Sequence, residues 1–169
     1  MIAPEIRLRA LEPDDVDCIY LWENTPGMWR HGFAPAPLSR HQIWQYVQNY
    51  DADPFSAGQL RLIISDGMEA VGAVDLYEVD VRNRRAMVGI MVAPEKRRHG
   101  VARAALRALE RYCFEALGLE QLAATVECGN EPSRRLFSGA GYAEGAMLPR
   151  WFRVGAEYAD AVIFRKFLS

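Results

Sequence analysis

The feature that most constrains this chain is the unit from Gly89 to Leu117, where an apolar run meets a basic loop and then a long amphipathic segment. Ala86 to Val92 reads as a strand, and Val101 to Leu117 is the clearest helix of the sequence. Leu106, Leu109, Cys113 and Leu117 recur at helical spacing on one face, and Gly118 stands where a left-handed, helix-ending residue belongs. Between strand and helix lies Ala93-Pro94-Glu95-Lys96-Arg97-Arg98-His99-Gly100. A loop that opens a helix in this way aims unpaired backbone N–H groups and the positive end of a dipole at one spot. A pyrophosphate fits there. Gly100 lets the backbone approach closely, Ala102 is too small to block it, and Lys96, Arg97 and Arg98 add charge. The same residues would also serve as a solvated basic turn that caps a structural helix. No Walker or dinucleotide fingerprint is present, because no Gly-Lys-Ser/Thr follows and Gly-x-Gly-x-x-Gly is absent.

The rest of the chain supplies a framework for this unit. Ile6 to Leu11 alternates as a half-buried strand does, and Pro13-Asp14-Asp15 opens a helix that runs through Val16, Ile19, Tyr20 and Glu23 to the breaker Pro26-Gly27. A loop rich in Pro and aromatics, Trp29 to Pro37, leads to Ser39 as the N-cap of a helix carrying Ile43, Trp44, Tyr46 and Val47. Leu60 to Ser65 and Ala70 to Val79 are strands around the turn signal Asp66-Gly67. Leu122 to Val126 is a further strand, Asn130 or Glu131 to Gly139 a short helix, and Tyr142 to Phe167 two strands joined near Val154-Gly155-Ala156. This order mixes hairpins with one crossover. It predicts an α/β (α+β) fold with a mixed, mostly antiparallel sheet of six to seven strands and helices on both faces.

Composition narrows the functional classes. With 169 residues, half of them apolar, residues 1–169 are expected to form a single domain whose core needs no staple. Twenty basic residues against 22 acidic ones give a net charge of −2, which argues against a nucleic-acid-coating protein. Cys18, Cys113 and Cys128 form no disulfide framework, and His31, His41 and His99 lie far apart, so no metal site is expected. The start lacks the apolar run of a signal peptide and no later stretch could span a membrane, so a cytoplasmic protein without a membrane partner is expected.

Three separated motifs then resemble one family. Val92-Ala93-Pro94 followed by Arg97-x-x-Gly100-x-Ala102 is similar to motif A of the GNAT N-acetyltransferases. Asn130-Glu131-Pro132-Ser133 through Gly141-Tyr142 resembles the family's Asn-x-x-Ser…Gly-Phe signature on the next helix. Arg7-Leu8-Arg9 with Asp14-Asp15 and Trp22-Glu23-Asn24 is similar to the ribosomal-protein alanine and spermidine N-acetyltransferase branches. The spermidine branch also resembles Gly72-Ala73-Val74-Asp75-Leu76-Tyr77-Glu78-Val79 and Asn83-Arg84-Arg85-Ala86.

The resemblance implies the GNAT fold and an acetyl-CoA-dependent N-acetyltransferase. Acetyl-CoA would lie in a gap where two strands splay, with Ile90, Met91 and Val92 offering backbone groups to its pantetheine arm. Amides of Arg97, Arg98, His99, Gly100, Val101 and Ala102 would hold the pyrophosphate. Asn130 would bond the pantetheine, although an N-cap role for the short helix is equally served by it, and Phe137 of that helix would line the cofactor site. The acceptor would be a small amine, a polyamine or diamine such as spermidine. The alternatives are a peptide N-terminus, as in the ribosomal-protein branch, or a catalytically silent acyl-CoA-binding module. A homo-oligomer is expected.

Two departures from the family bear on the chemistry. Where relatives place a Tyr acid, this chain has Phe137, and where close branches place a Glu after Arg-Ala, it has Met87. An amine with a pKa near ~10 is protonated at neutral pH, so a proton acceptor is wanted. The catalytic candidates are Asp75, Glu78 and Glu127, with Asp75 preferred as base. Tyr142 or Tyr158 could serve as acid. Each of these residues also reads as ordinary solvated surface.

Overall fold

Residues 5–25 and 36–169 are described by the computed structural model, and their elements follow the punctuation of the sequence. The breaker Pro26-Gly27 and the aromatics Trp29 and Phe33 lie outside the described residues. Strand β1 (Ile6–Arg9) leads through a 3₁₀ turn (Pro13–Asp15) into α1 (Val16–Asn24), and α2 (Arg40–Gln48) follows. Ser39 caps α2 by accepting from Gln42 N, and Gln42 reaches back to Ser39 N in a reciprocal box. A one-turn helix, α3 (Pro54–Ala57), precedes β2 (Leu60–Asp66), β3 (Glu69–Asp80) and β4 (Arg85–Val92). Helix α4 (Val101–Glu115), β5 (Gln121–Glu127), α5 (Glu131–Gly139), β6 (Ala143–Val154) and β7 (Glu157–Phe167) complete the order.

Seven strands form one sheet in the order β1-β2-β3-β4-β5-β7-β6. Every pairing is antiparallel except that of β4 with β5. The exception has a cause in the sequence: α4 carries the chain back across the sheet between β4 and β5, whereas short turns reverse it at β2–β3, β3–β4 and β6–β7. This is the mixed, mostly antiparallel sheet that the element order predicts.

Each face of the sheet has its own core. Val74 and Leu76 of β3 and Ala86, Val88 and Val92 of β4 pack with Val101, Ala105, Leu106, Leu109 and Cys113 of α4, and Phe137 of α5 joins them. Ala73 and Ile63, one pleat out of phase, pack on the opposite face with Ile19 and Trp22 of α1 and Ile43 and Val47 of α2. Burying each large side chain of these layers contributes about 1.5–3 kcal/mol.

Two local details differ from the sequence reading. Helix α4 stops at Glu115, because Leu119 N bonds Cys113 O across Gly118, whose φ of 64° closes the helix. Helix α3 is an addition. Asp53 caps it through Phe55 N at 2.9 Å and Pro54 fixes its first turn, a signal carried by the Asp-Pro pair.

Candidate active site

The two strands that should splay do so. β4 and β5 pair only through Arg85 with Gln121, Ala86 with Leu122 and Met87 with Ala123. Beyond that point β5 continues against β7, and β4 continues against β3, with Gly72 opposite Val92. Among the described residues, no strand therefore pairs with the β5-facing edge of Val88–Val92, which includes the sequence-predicted Ile90, Met91 and Val92. Alternate backbone groups along that edge are left for water or a ligand.

The loop after β4 closes one end of this gap. A 3₁₀ turn (Pro94–Lys96) follows Ala93, and Arg97 Nε donates back to Val92 O at 3.0 Å. Arg98 and Gly100 both take left-handed φ values, 64° and 79°. That geometry curls the backbone so that its N–H groups converge, the form of an anion nest. Gly100 is the N-cap of α4 and no side chain caps the helix, so its first amides remain available. Arg97, Arg98 and His99 are exposed around the nest, Val101 is buried beneath it and Ala102 is partly buried. Lys96 instead turns to Glu69, with Nζ 2.6 Å from Oε2. The open edge and the uncapped nest suit a molecule with an amide-bearing arm and a pyrophosphate.

Asn130 joins the same region from α5. Its Oδ1 accepts from Ser133 N at 3.3 Å, so it is the N-cap. Capping engages only the oxygen, and the Nδ2 donors are left for a second partner. The two roles read for Asn130 are thus compatible.

The opposite side of β3 and β4, beneath α1 and α2, carries the charged groups. Arg61, Asp75 and Gly89 form one row across β2, β3 and β4. Arg61 donates to both oxygens of Asp75, Nε to Oδ1 at 2.7 Å and Nη2 to Oδ2 at 3.1 Å, and its Nη1 reaches Glu23 of α1 at 3.0 Å. The ring of Tyr46 lies 5.8 Å from the guanidinium carbon. Burial works against the Arg61 charge, but Asp75, Tyr46 and Glu23 outweigh it and hold the guanidinium above its usual range. Burial also pushes the Tyr46 hydroxyl up to about 12. Gly89 adds no side chain beside Asp75; a Cβ there would sit 4.0 Å from Oδ2. The carboxylate therefore has no β4 side chain directly beside it there, and Tyr77 Cε1, 3.9 Å from that Cβ, borders the same space.

The other sequence-predicted groups separate clearly. Glu78 is exposed, with φ of 49°, in an irregularity between Tyr77 and Asp80. Asp80 accepts from Asn83 at 2.9 and 2.7 Å and pairs with Arg85 at 3.2 Å. Glu127, the last residue of β5, is buried and shares a sheet face with Met87, Ala123 and Thr125. Phe137 is buried, edge-on to Tyr142 at 5.1 Å and stacked on Phe164 at 6.1 Å. Burial and the nearby Glu110 push the Tyr142 phenol above its ordinary value. Tyr158 is exposed on the last hairpin beneath Arg150. No helix among the described residues is long and apolar enough to cross a membrane. Among those residues no group of three or more His, Cys, Asp or Glu could hold a metal ion.

Arg61 and Glu23 are the residues that sequence reasoning missed as site components. The signal was present: Arg61 is a lone charge in the apolar run Leu60-Arg61-Leu62-Ile63-Ile64, where only a buried partner makes it tolerable.

Comparisons with known proteins agree with this geometry. A family model described as an acetyltransferase (GNAT) domain matches residues 5–143. Spermidine N(1)-acetyltransferase of Escherichia coli (strain K12) is 24% identical over 160 residues, covering 95% of this chain and 84% of that protein. YdaF of Bacillus subtilis (strain 168), named for ribosomal N-acetylation, is 29% identical over 169 residues, covering 94% and 89%. The crystal structure of spermidine N-acetyltransferase from Vibrio cholerae, in complex with CoA and spermine, superposes with a TM-score of 0.86 at 24% identity. That match covers 97% of this chain and 96% of the other. A strand gap, an uncapped nest and a family model spanning most of the sequence converge: the chain belongs to the GNAT family of acetyltransferases and is an acyl-CoA-dependent N-acetyltransferase.

Proposed function

We propose that this enzyme moves an acetyl group from acetyl-CoA to a primary amine of a small polyamine or diamine. The observation that carries the reading is the Asp75–Arg61–Glu23 cluster beside Gly89. Among the described residues of that cluster, two carboxylates face one guanidinium, which leaves a net negative charge. With no β4 side chain beside it at Gly89, Asp75 offers a cationic amine a charge-assisted anchor on that side. The spermidine acetyltransferases among its relatives support the same acceptor class.

In this reading the exposed edge of Val88–Val92 holds the pantetheine arm, with Asn130 Nδ2 as a side-chain donor, and Arg97 to Ala102 hold the pyrophosphate. Acetyl-CoA supplies an activated acyl group on a thiol whose pKa near ~8.5 lets it leave as thiolate without a strong acid. That property makes Phe137 tolerable where relatives carry a Tyr. Asp75, held at both oxygens, anchors the amine. Glu127, at the end of β5 beside the gap, takes the proton that the attacking amine must lose. Glu78, at the exposed irregularity, serves the acceptor's outer end.

A second reading, acetylation of a protein N-terminus, has one observation in its favour: the 29% identity to YdaF exceeds that to the spermidine enzymes. The two separate in a turnover assay with acetyl-CoA against spermidine, a simple diamine and an alanine-initiated peptide at two salt concentrations. Spermidine should give the highest kcat/KM, and salt should lower it. A peptide preferred by roughly tenfold or more, with little salt effect, would overturn the polyamine reading, because tenfold is ~1.4 kcal/mol of transition-state preference.

A further inference from the structure

Gly72 lies in β3 directly opposite Val92, at the last paired position of β4. A Cβ placed on it would stand 2.2 Å from Met91 O and 3.0 Å from Val92 Cα, both backbone atoms, and 3.2 Å from Ile64 Cδ1. A Cβ in a regular sheet points away from the sheet plane, where no partner carbonyl should be. The Met91 carbonyl is therefore tilted out of the ladder and occupies the space of the missing side chain. Gly72 has the parity of Val74 and Leu76, so that space is on the α4 side.

Neighbouring contacts fix the tilt. β2 carries an irregularity between Ile64 and Ser65, where it passes Gly72. Ala93 N donates to Val71 O at 2.9 Å, which pins the chain just past Val92. The end of β4 is thus held on both sides of a peptide that leans toward α4. In a planar trans peptide the N–H points opposite to the C=O, so the Val92 N–H leans toward the α1–α2 side. The Val92 N–H, on the edge that faces the gap, therefore points in a direction that differs from that of a flat strand.

We propose that Gly72 is a positioning residue for acyl-CoA: it touches no ligand, but its missing Cβ sets the direction of the Met91–Val92 peptide along the cofactor groove. The inference rests on the reading that the arm runs along β4. Substituting Gly72 with alanine moves backbone rather than a flexible side chain, because its nearest neighbours are Met91 O and Val92 Cα. The groups that meet the pantetheine arm would shift, while the nest at Arg98 and Gly100, beyond the Ala93 anchor, would keep its form.

The test compares Gly72→Ala with the unsubstituted protein by calorimetry, using CoA and 3′,5′-ADP as probes. The nucleotide fragment engages the nest but has no pantetheine arm. CoA should bind at least ~10-fold more weakly to folded Gly72→Ala, with 3′,5′-ADP affinity unchanged within about twofold. Ile64→Val in the same chain relieves the side-chain contact but not the carbonyl contact, so the double variant gives a second folded form with the same expected loss. CoA affinity within twofold of the unsubstituted protein, in either folded form, would overturn the inference. A parallel loss of both probes, or failure of both variants to fold, would overturn it too, since Gly72 would then serve the fold and not the groove. Amide exchange keeps the underlying reading distinct: CoA should slow exchange at residues 88–92 of the unsubstituted protein. Exchange there that ignores CoA would remove the groove reading and the inference together. Slowed exchange with an indifferent Gly72→Ala would remove only the inference.

Discussion

Arg61 holds Asp75 by a two-pronged contact, 2.7 and 3.1 Å, and the same guanidinium reaches Glu23 on α1. The pair ties the middle of the sheet to α1. In the proposed function Asp75 is an anchor and not the base preferred from sequence, because both carboxylate oxygens already accept hydrogen bonds.

Asp75→Asn should therefore raise KM for the amine while leaving kcat within about twofold, the pattern of lost uniform binding. Steady-state kinetics with saturating acetyl-CoA checks this. A fall in kcat with unchanged KM would return the base role to Asp75.

Arg61→Met should cost stability. The two carboxylates it separates would face each other without the cation, and the three side chains are only 22% to 30% exposed. The expected loss is about 1–3 kcal/mol, less than for a fully buried pair because solvent screens part of it. Urea unfolding at neutral pH measures it.

Glu127→Gln keeps the shape of the end of β5 and removes a proton acceptor. The expected result is a kcat lower by ~10²–10⁴-fold with acetyl-CoA affinity unchanged, and partial recovery at high pH, where the amine loses its proton unaided. Wild-type kcat across the pH range would show that the proton leaves by another route.

Gly100→Glu adds bulk at a φ of 79°, which side chains rarely adopt, and a negative charge at the N-terminus of α4. CoA and 3′,5′-ADP should both lose affinity by roughly tenfold or more, since the anion nest then carries its own anion. Calorimetry on the folded variant decides it.

Stability should fall at alkaline pH. Burial raises Tyr46 from 10.0 to about 12 and also raises Tyr142, so the native state keeps protons that the unfolded chain releases. A raised folded pKa gives a contribution that is complete below the unfolded value and lost as pH climbs through the folded one. The decline should begin near pH 10 and continue to about 12, and Tyr46→Phe should soften it. Thermal melts from pH 8 upward test this.

The sequence carried the fold because its signals were local. The Val101 to Leu117 periodicity, the Ser39 box and the turn residues at Asp66-Gly67 and Gly118 each act within a few positions, and each element formed where they point. The form of the loop after β4 was legible for the same reason: strand, turn and helix are contiguous. The charged cluster was not. Arg61, Asp75 and Glu23 are separated by 14 and 38 positions and meet only because β2 pairs with β3 and α1 crosses both. Along β3 the alternation of faces ends after Tyr77, where an irregularity leaves Glu78 exposed, so the strand pattern alone does not place that residue.

The three-pair contact between β4 and β5 has a thermodynamic consequence. It divides the sheet into two antiparallel halves, β1–β4 and β5–β7–β6, joined along a narrow waist with α4 packed across it. An acyl-CoA arm seated in the wedge, as proposed, would supply rungs that the polypeptide itself omits. It binds the native form alone, so at a hundredfold excess over its Kd it adds about 2.7 kcal/mol to the folded state. The melting temperature of this enzyme should therefore track the acyl-CoA supply around it, and the starved protein should come apart first where its two halves meet.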